Sequence, residues 1–195
     1  MDIYQIFITH NRMWSGQEIL VFGIIFMIVL FCCVCAVRCG KINKVQAAAG
    51  LSLLVFLGIV YGSTVFTRSV GTRQYELIPF WSWWEVISHH DQSLLQEDLL
   101  NCMLLMPMGV LLPLMVKKKV HPWQAFLAGI CVSACIEISQ LIFLRGLFEW
   151  DDMIHNAFGC MVGCILCNMV VRRDNKIRIR QRDRVRKSWI SVLFL

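Results

Sequence analysis

The sequence predicts an all-α polytopic membrane protein: a bundle of five transmembrane helices, with the N-terminus outside the cell and the C-terminus in the cytoplasm. Hydrophobic residues make up 57% of the 195 residues and charged residues only 16%, which is far from the balance of a soluble domain. The apolar residues also form five runs, each long enough to cross a hydrocarbon core of about 30 Å as a helix. The placement of the basic residues gives the orientation.

The five apolar runs occupy residues 19–37, 45–66, 99–116, 123–144 and 153–171. The first has no charge and no small-residue cleavage site after it, so we interpret it as a permanent, peripheral span. The second contains Gly58 and Gly62 at a spacing of four, which favours close helix packing. The third contains Pro107 and Pro113, with Gly109 four residues before Pro113, and is predicted to be kinked.

Most of the 19 Lys and Arg residues follow the first, third and fifth runs, whereas most Asp and Glu residues lie on the other side. By the positive-inside rule, the basic side is cytoplasmic. The net charge of +6 is therefore a topological signal. Membrane lipids are the predicted partners, with anionic lipid at the inner surface, and nucleic acid is not implied.

All ten cysteines lie in or beside the apolar runs or at their cytoplasmic ends. We interpret them as small packing residues in a reducing environment rather than as disulfides. The pair Cys32 and Cys35 has the spacing of a metal or redox site, but no His or carboxylate lies at ligand spacing nearby. The sequence therefore indicates no metal site and no cofactor.

The longest connection, residues 67–98, lies outside on this topology and is rich in aromatic residues. Trp81, Trp83 and Trp84 predict a helix in the outer headgroup layer, which is either an aromatic belt or a lid over an outward-facing site. His89 and His90 are interpreted as solvated loop residues.

Polar side chains in the fourth span share one stripe. Ser133, Glu137 and Gln140 follow each other at spacings of four and three. A carboxylate at the depth of Glu137 faces protein or water rather than lipid, either as a structural hydrogen-bonding group or as part of a site.

The fifth span begins with carboxylates, which are expected to cap its free amides. Asp152, Asn156, Gly159 and Gly163 then form one continuous face. The two glycines provide a groove, and we predict that the fourth helix packs into it, because the connection between them is short.

Polar residues from three spans are therefore predicted to meet in an outward-facing pocket. Its carboxylates are candidates for an acid or base, or for ion pairs with arginines. The predicted pocket residues are Arg68, Arg73, Asn101, Glu137, Gln140, Arg145, Asp152 and Asn156.

The order of these residues resembles the VanZ-like family of bacterial membrane proteins. The similarity includes the pair Arg68 and Arg73, the sequence Leu-Ile-Pro-Phe, Asn101 with the Pro-x-Gly that follows, and the later polar blocks. It covers about residues 67–171, and its most specific part runs from Asp152 to Gly163. Residues 1–66 then form an N-terminal pair of spans, and residues 172–195 a basic cytoplasmic tail.

The resemblance implies a multi-pass protein of the bacterial cell membrane, associated with low-level resistance to the glycopeptide teicoplanin. Three hypotheses stay open. The first is an envelope factor whose pocket binds a lipid-linked precursor or an amphiphilic antibiotic. The second is a membrane-embedded enzyme acting on a lipid-linked cell-wall substrate, for which no familiar catalytic motif is present. The third is a small transporter, for which no inverted repeat is evident.

Overall fold

The computed structural model describes residues 14–116 and 119–193, with side chains described as far as residue 171. Within that part of the chain, five helical stretches are long and apolar enough to cross a membrane, in agreement with the predicted fold class. They are Gly16–Arg38, Lys44–Phe66, Gln92–Met115, Pro122–Phe143 and Trp150–Val171.

Short side-chain caps begin the first two spans, α1 (Gly16–Arg38) and α2 (Lys44–Tyr61). Ser15 exchanges side-chain-to-backbone hydrogen bonds with Glu18, and Asn43 exchanges them with Gln46, which satisfies free amides at each helix start. The second span ends in a π-helical turn, Gly62–Phe66. No residue of α1 is buried, so α1 is peripheral, as predicted.

The third span is broken into two helices, α4 (Gln92–Leu104) and α5 (Met106–Met115). The break at Leu105 precedes Pro107, which has no amide hydrogen for the carbonyl of Met103. The predicted kink is therefore confirmed at Pro107. Pro113 lies inside α5 without ending it.

Two short strands lie outside the spans, and neither was predicted from the sequence. Strand β1 (Gln74–Glu76) pairs in parallel with β2 (Leu147–Glu149), with Tyr75 opposite Phe148. This pair ties the long connection, which also contains helix α3 (Trp81–His89), to the short segment between α6 (Pro122–Phe143) and the last helix.

The last helix, α7 (Trp150–Leu193), is the centre of the bundle and packs against α4, α5 and α6. In the most apolar 18-residue stretch of α7, 44% of the residues are buried, whereas in the corresponding stretch of α1 none are. It continues beyond residue 171, where the predicted basic tail begins. The side chains of that tail, together with residues 1–13, 117–118 and 194–195, lie outside the described part of the chain.

The glycine groove on α7 receives the third span, so the prediction that the fourth helix fills it is wrong. A Cβ atom on Gly159 would overlap the carbonyl of Cys102, and one on Gly163 would overlap the carbonyl of Met106. Gly109 in turn lies against the carbonyl of Cys160. Backbones of α7 and of the third span are therefore in direct contact along this face.

The fourth helix approaches α7 on a different face. Gly129 of α6 lies against Ala157 and Cys160, and its missing Cβ would come within 2.7 Å of the Ala157 Cα. Two small-residue contacts thus fix α7 between the third and fourth spans, and they set the position of its N-terminus.

We predict that Gly159→Ala destabilises the folded protein by about 1–3 kcal/mol, because the added methyl group must displace the backbone of α4. The matched control is Gly23→Ala in α1, where nothing lies within 4 Å of the added Cβ. Thermal unfolding in detergent measures both variants. Equal midpoints for the two variants would contradict the close approach.

Candidate functional site

Six carboxyl groups gather at one end of the bundle, where α2 and α6 end and α4 and α7 begin. We call this set the carboxylate cluster: Glu97, Asp98, Glu137, Glu149, Asp151 and Asp152. Asp98 and Glu137 are only 3% and 2% exposed, whereas Glu97 lies at the surface. The cluster therefore extends from the surface into the bundle, on the side predicted to be outside.

Asp151 holds helix α3 against the bundle. Its Oδ1 accepts a hydrogen bond from the amide of Phe80 at 2.5 Å, and its Oδ2 accepts from the amide and the hydroxyl of Ser82, both at 3.0 Å. Asp151 lies in the first turn of α7, yet it caps the N-terminus of α3. The carboxylates were expected to cap their own helix, and for Asp151 this is wrong, because its oxygens bind the amides of α3.

A second contact joins α3 to α7. The indole N–H of Trp83 donates to Nε2 of His155 at 2.7 Å, so this ring nitrogen carries no proton in the bonded state. The other ring nitrogen, Nδ1, lies 3.5 Å from Oδ1 of Asp98. Trp83 therefore contacts a buried residue of α7, whereas Trp84 of the same helix is 69% exposed.

Asp152 and Glu137 bind partners within the cluster. The amide nitrogen of Asn101 donates to Oδ1 of Asp152, so the third and fifth spans meet as predicted. The backbone amide of Glu149 donates to Oε2 of Glu137 at 3.2 Å. Arg68 interacts electrostatically with both Glu137 and Asp152 from the surface.

Gly146 permits the approach of Arg68. It adopts φ of +136°, and a Cβ there would come within 2.8 Å of Nη1 of Arg68 and 3.1 Å of Oε1 of Gln140. The structure thus brings Arg68, Asn101, Glu137 and Asp152 together.

Two predicted pocket residues bind the end of the second span. Gln140 donates to the carbonyl of Thr64 at 3.0 Å, and Arg145 donates to the carbonyls of Val65 at 3.3 Å and Phe66. These carbonyls end the π-helical turn and have no further helical turn to bind. Both side chains therefore cap a helix.

Arg73 differs from the other predicted pocket residues. It is exposed beside β1, and among the described residues it forms no ion pair with the cluster. Its assignment to a pocket stays a prediction.

Asn156 lies one turn deeper than Asp152 and bonds to the fourth span. Its amide nitrogen donates to the hydroxyl of Ser133 at 2.9 Å, and both residues are buried. Within the described residues, its Oδ1 has no hydrogen-bond partner, and neither do Oδ2 of Asp98 and Nδ1 of His155.

Asp98, Asp151, His155 and Ser133 belong to the site, although the predicted pocket did not include them. For two of these residues, the spacing along the sequence indicated that they belong here. Asp98 precedes Asn101 by three residues, and His155 follows Asp152 by three, so each lies on the face of a predicted pocket residue.

Among the described residues, no group of three or more His, Cys, Asp or Glu side chains could hold a metal ion. The arrangement can instead bind a hydrogen-bond donor through its oxygens.

Glu149, just outside the fifth span, has an altered acidity. Burial raises its pKa from the ordinary value of 4.5 to about 7, and the negative charges of Asp152, Glu97, Asp151 and Asp98 act in the same direction. This carboxyl group therefore loses its proton at a higher pH than an ordinary glutamate.

A sequence model of one protein family, described as VanZ/LLP1, matches residues 24–171 of the chain. The match ends where the resemblance noted above ends, and it begins further upstream, within α1. No curated protein and no solved structure matches the chain.

We predict that the free energy of unfolding falls as pH rises from about 4.5 to about 7, partly because of Glu149. Between these values the folded state holds more protons than the unfolded state, so stability is highest at the acid end. Glu149→Gln removes this contribution and flattens the pH dependence. Chemical denaturation at several pH values measures it, with Glu85→Gln on α3 as the control, and an unchanged slope in Glu149→Gln would contradict the assignment.

Proposed function

The chain belongs to the VanZ/LLP1 family, and from this membership we propose that it acts in the bacterial cell membrane as an envelope factor. It binds the headgroup of an amphiphile at the carboxylate cluster and thereby lowers susceptibility to lipoglycopeptides such as teicoplanin. The amphiphile is a lipid-linked envelope precursor or the antibiotic itself.

One observation carries the proposal: a helix lies over a polar cluster that three spans build. The lid helix α3 contacts the cluster through Trp83 and through the cap at Asp151. Polar groups inside a membrane protein are costly and mark functional sites. A structural role alone needs no aromatic lid bonded to a buried histidine.

The exposure of the side chains supports an entrance rather than a closed core. Arg68 and Glu97 are exposed, Glu149 and Asp152 are half-buried, and Glu137 is buried. A headgroup at the membrane surface meets the exposed members first and the buried ones last.

An apolar cleft near the same end of the bundle supports an amphiphilic ligand. It lies between α1 and α2, has a volume of about 370 Å³, and is lined by residues that include Trp14, Phe22, Tyr61 and Phe66. Phe66 also belongs to the turn whose carbonyls bind Arg145. A ligand with an acyl chain could place the chain along this cleft and the headgroup toward the cluster.

The test is expression in a susceptible Gram-positive host, followed by measurement of teicoplanin and vancomycin inhibitory concentrations. We expect the wild-type chain to raise the teicoplanin value selectively. Asp152→Asn should abolish the shift, because it removes a charge and weakens the contact with Asn101. Glu85→Gln, which removes a carboxylate of α3 outside the cluster, should leave the shift intact.

Membrane levels of each variant are compared by immunoblot, so that loss of protein is distinguished from loss of function. A wild-type chain without a selective shift would contradict the proposed function. A full shift in Asp152→Asn would contradict the role of the cluster.

A second candidate function follows from the contact between Asp98 and His155. An imidazole with a carboxylate at Nδ1 is arranged as a general base at Nε2, and in this structure Trp83 occupies that nitrogen. A membrane-embedded enzyme for a lipid-linked substrate would need α3 to open. Mass spectrometry of lipids from the same strains discriminates the two functions: a profile that changes with the wild type and not with His155→Gln favours the enzyme.

A further inference from the structure

The carboxylate cluster contains far more acids than bases. Six carboxyl groups interact with one another, and among the described residues Arg68 is a cation that faces two of them. His155 accepts a hydrogen bond at Nε2, so it is not an imidazolium while Trp83 is bound. Arg145 binds backbone carbonyls at the end of the second span.

Two buried oxygens in and below the cluster have no hydrogen-bond donor among the described residues. They are Oδ2 of Asp98 and Oδ1 of Asn156, and each residue is 3% exposed. The hydroxyl of Ser82 also lies close to Asp98, but it donates to Oδ2 of Asp151 at 3.0 Å. A buried acceptor without a donor costs about 1–3 kcal/mol, so such oxygens are expected to meet a donor from outside the chain. Asn156 is uncharged, so this observation does not depend on the number of acids.

The third unsatisfied atom, Nδ1 of His155, is accounted for differently. In the tautomer that the Trp83 contact requires, this nitrogen carries the proton, and it lies 3.5 Å from Oδ1 of Asp98. This donor has no hydrogen bond among the described residues, so unpaired acceptors outnumber unpaired donors by two to one.

Common lipid headgroups differ in their charge and in the hydrogen-bond donors and acceptors that they carry. A phosphate brings only acceptors and negative charge, so it adds to the excess that is already present. A primary ammonium group carries three donors, no acceptor and a positive charge. A bound metal ion is not supported, because no suitable group of three ligands exists among the described residues.

We propose that the carboxylate cluster recognises a primary ammonium group, which donates hydrogen bonds to the free oxygen of Asp98 and to the carboxylates at the entrance. This inference rests on the proposed function and specifies the amphiphile: its amine-bearing end enters the bundle. Three sources share this chemistry, namely an aminolipid headgroup, the peptide amine of a cell-wall precursor and the amine of a glycopeptide.

The full chain in phosphatidylcholine nanodiscs tests the inference, with protein-free nanodiscs as the blank. Thermal stabilisation and Trp fluorescence report the binding of dodecylamine, of its neutral N-acetyl form and of dodecyl phosphate. We expect dodecylamine to bind at least about tenfold more tightly than the acetylated form. Equal binding of the two, or tighter binding of the phosphate, would overturn the inference.

Two variants assign the preference to the cluster. Asp98→Asn should reduce the preference for the amine about tenfold, whereas Glu85→Gln should retain it. If Asp98→Asn does not fold, the exposed Glu97→Gln serves instead and should weaken amine binding by a smaller factor. An unreduced preference in the variant that folds would count against the site.

The source of the amine is identified by replacing the probe with phosphatidylethanolamine, a lysine-containing cell-wall peptide or teicoplanin, each compared with its N-acetyl form. Failure of this inference and failure of the proposed function are distinguishable. A teicoplanin shift without amine preference contradicts only the ligand class, and amine preference without a teicoplanin shift contradicts only the resistance function.

Discussion

The burial of several carboxyl groups at one end of a helix bundle is the constraint on which the rest of the structure depends. An acidic side chain removed from water needs donors close to it, and the chain supplies them from elements distant in sequence. Asp151 accepts hydrogen bonds from the N-terminus of α3. Asp152 accepts one from the side chain of Asn101, and Glu137 accepts one from the backbone amide of Glu149. The lid, the third span and the loop before α7 are thus held by the same set of acids.

Small residues make this arrangement possible. Because Gly159 and Gly163 bring the backbone of α7 against the third span, the first turn of α7 lies among the ends of its neighbours. The spacing of these glycines predicted a groove. The positions of polar residues in the outer halves of three spans predicted that Asn101 and Asp152 converge. Spacing defines a face of one helix but not the helix that packs on it, and this is why the fourth span was wrongly assigned to the groove.

Other features could not be predicted from one chain. Arg145 was expected beside the carboxylates because it lies on their side, but the carbonyls of the π-helical turn are closer and also need donors. His155 was absent from the predicted pocket, although its spacing from Asp152 places it on the same helix face, because spacing does not show which residues of other elements it contacts. Those partners, Trp83 and Asp98, lie in separate elements, and the β1–β2 pair that orders the connection is too short to show a pattern.

A role in the cell envelope requires the carboxylate cluster and helix α3 to face the outside of the cell. Labelling of intact cells with a membrane-impermeant maleimide tests this directly, with Ser69→Cys beside the cluster and Lys119→Cys at the opposite end of the bundle, and the wild-type chain as the background. We predict labelling of Ser69→Cys in intact cells and labelling of Lys119→Cys only after permeabilisation. The reverse pattern would place the cluster in the cytoplasm and contradict the account.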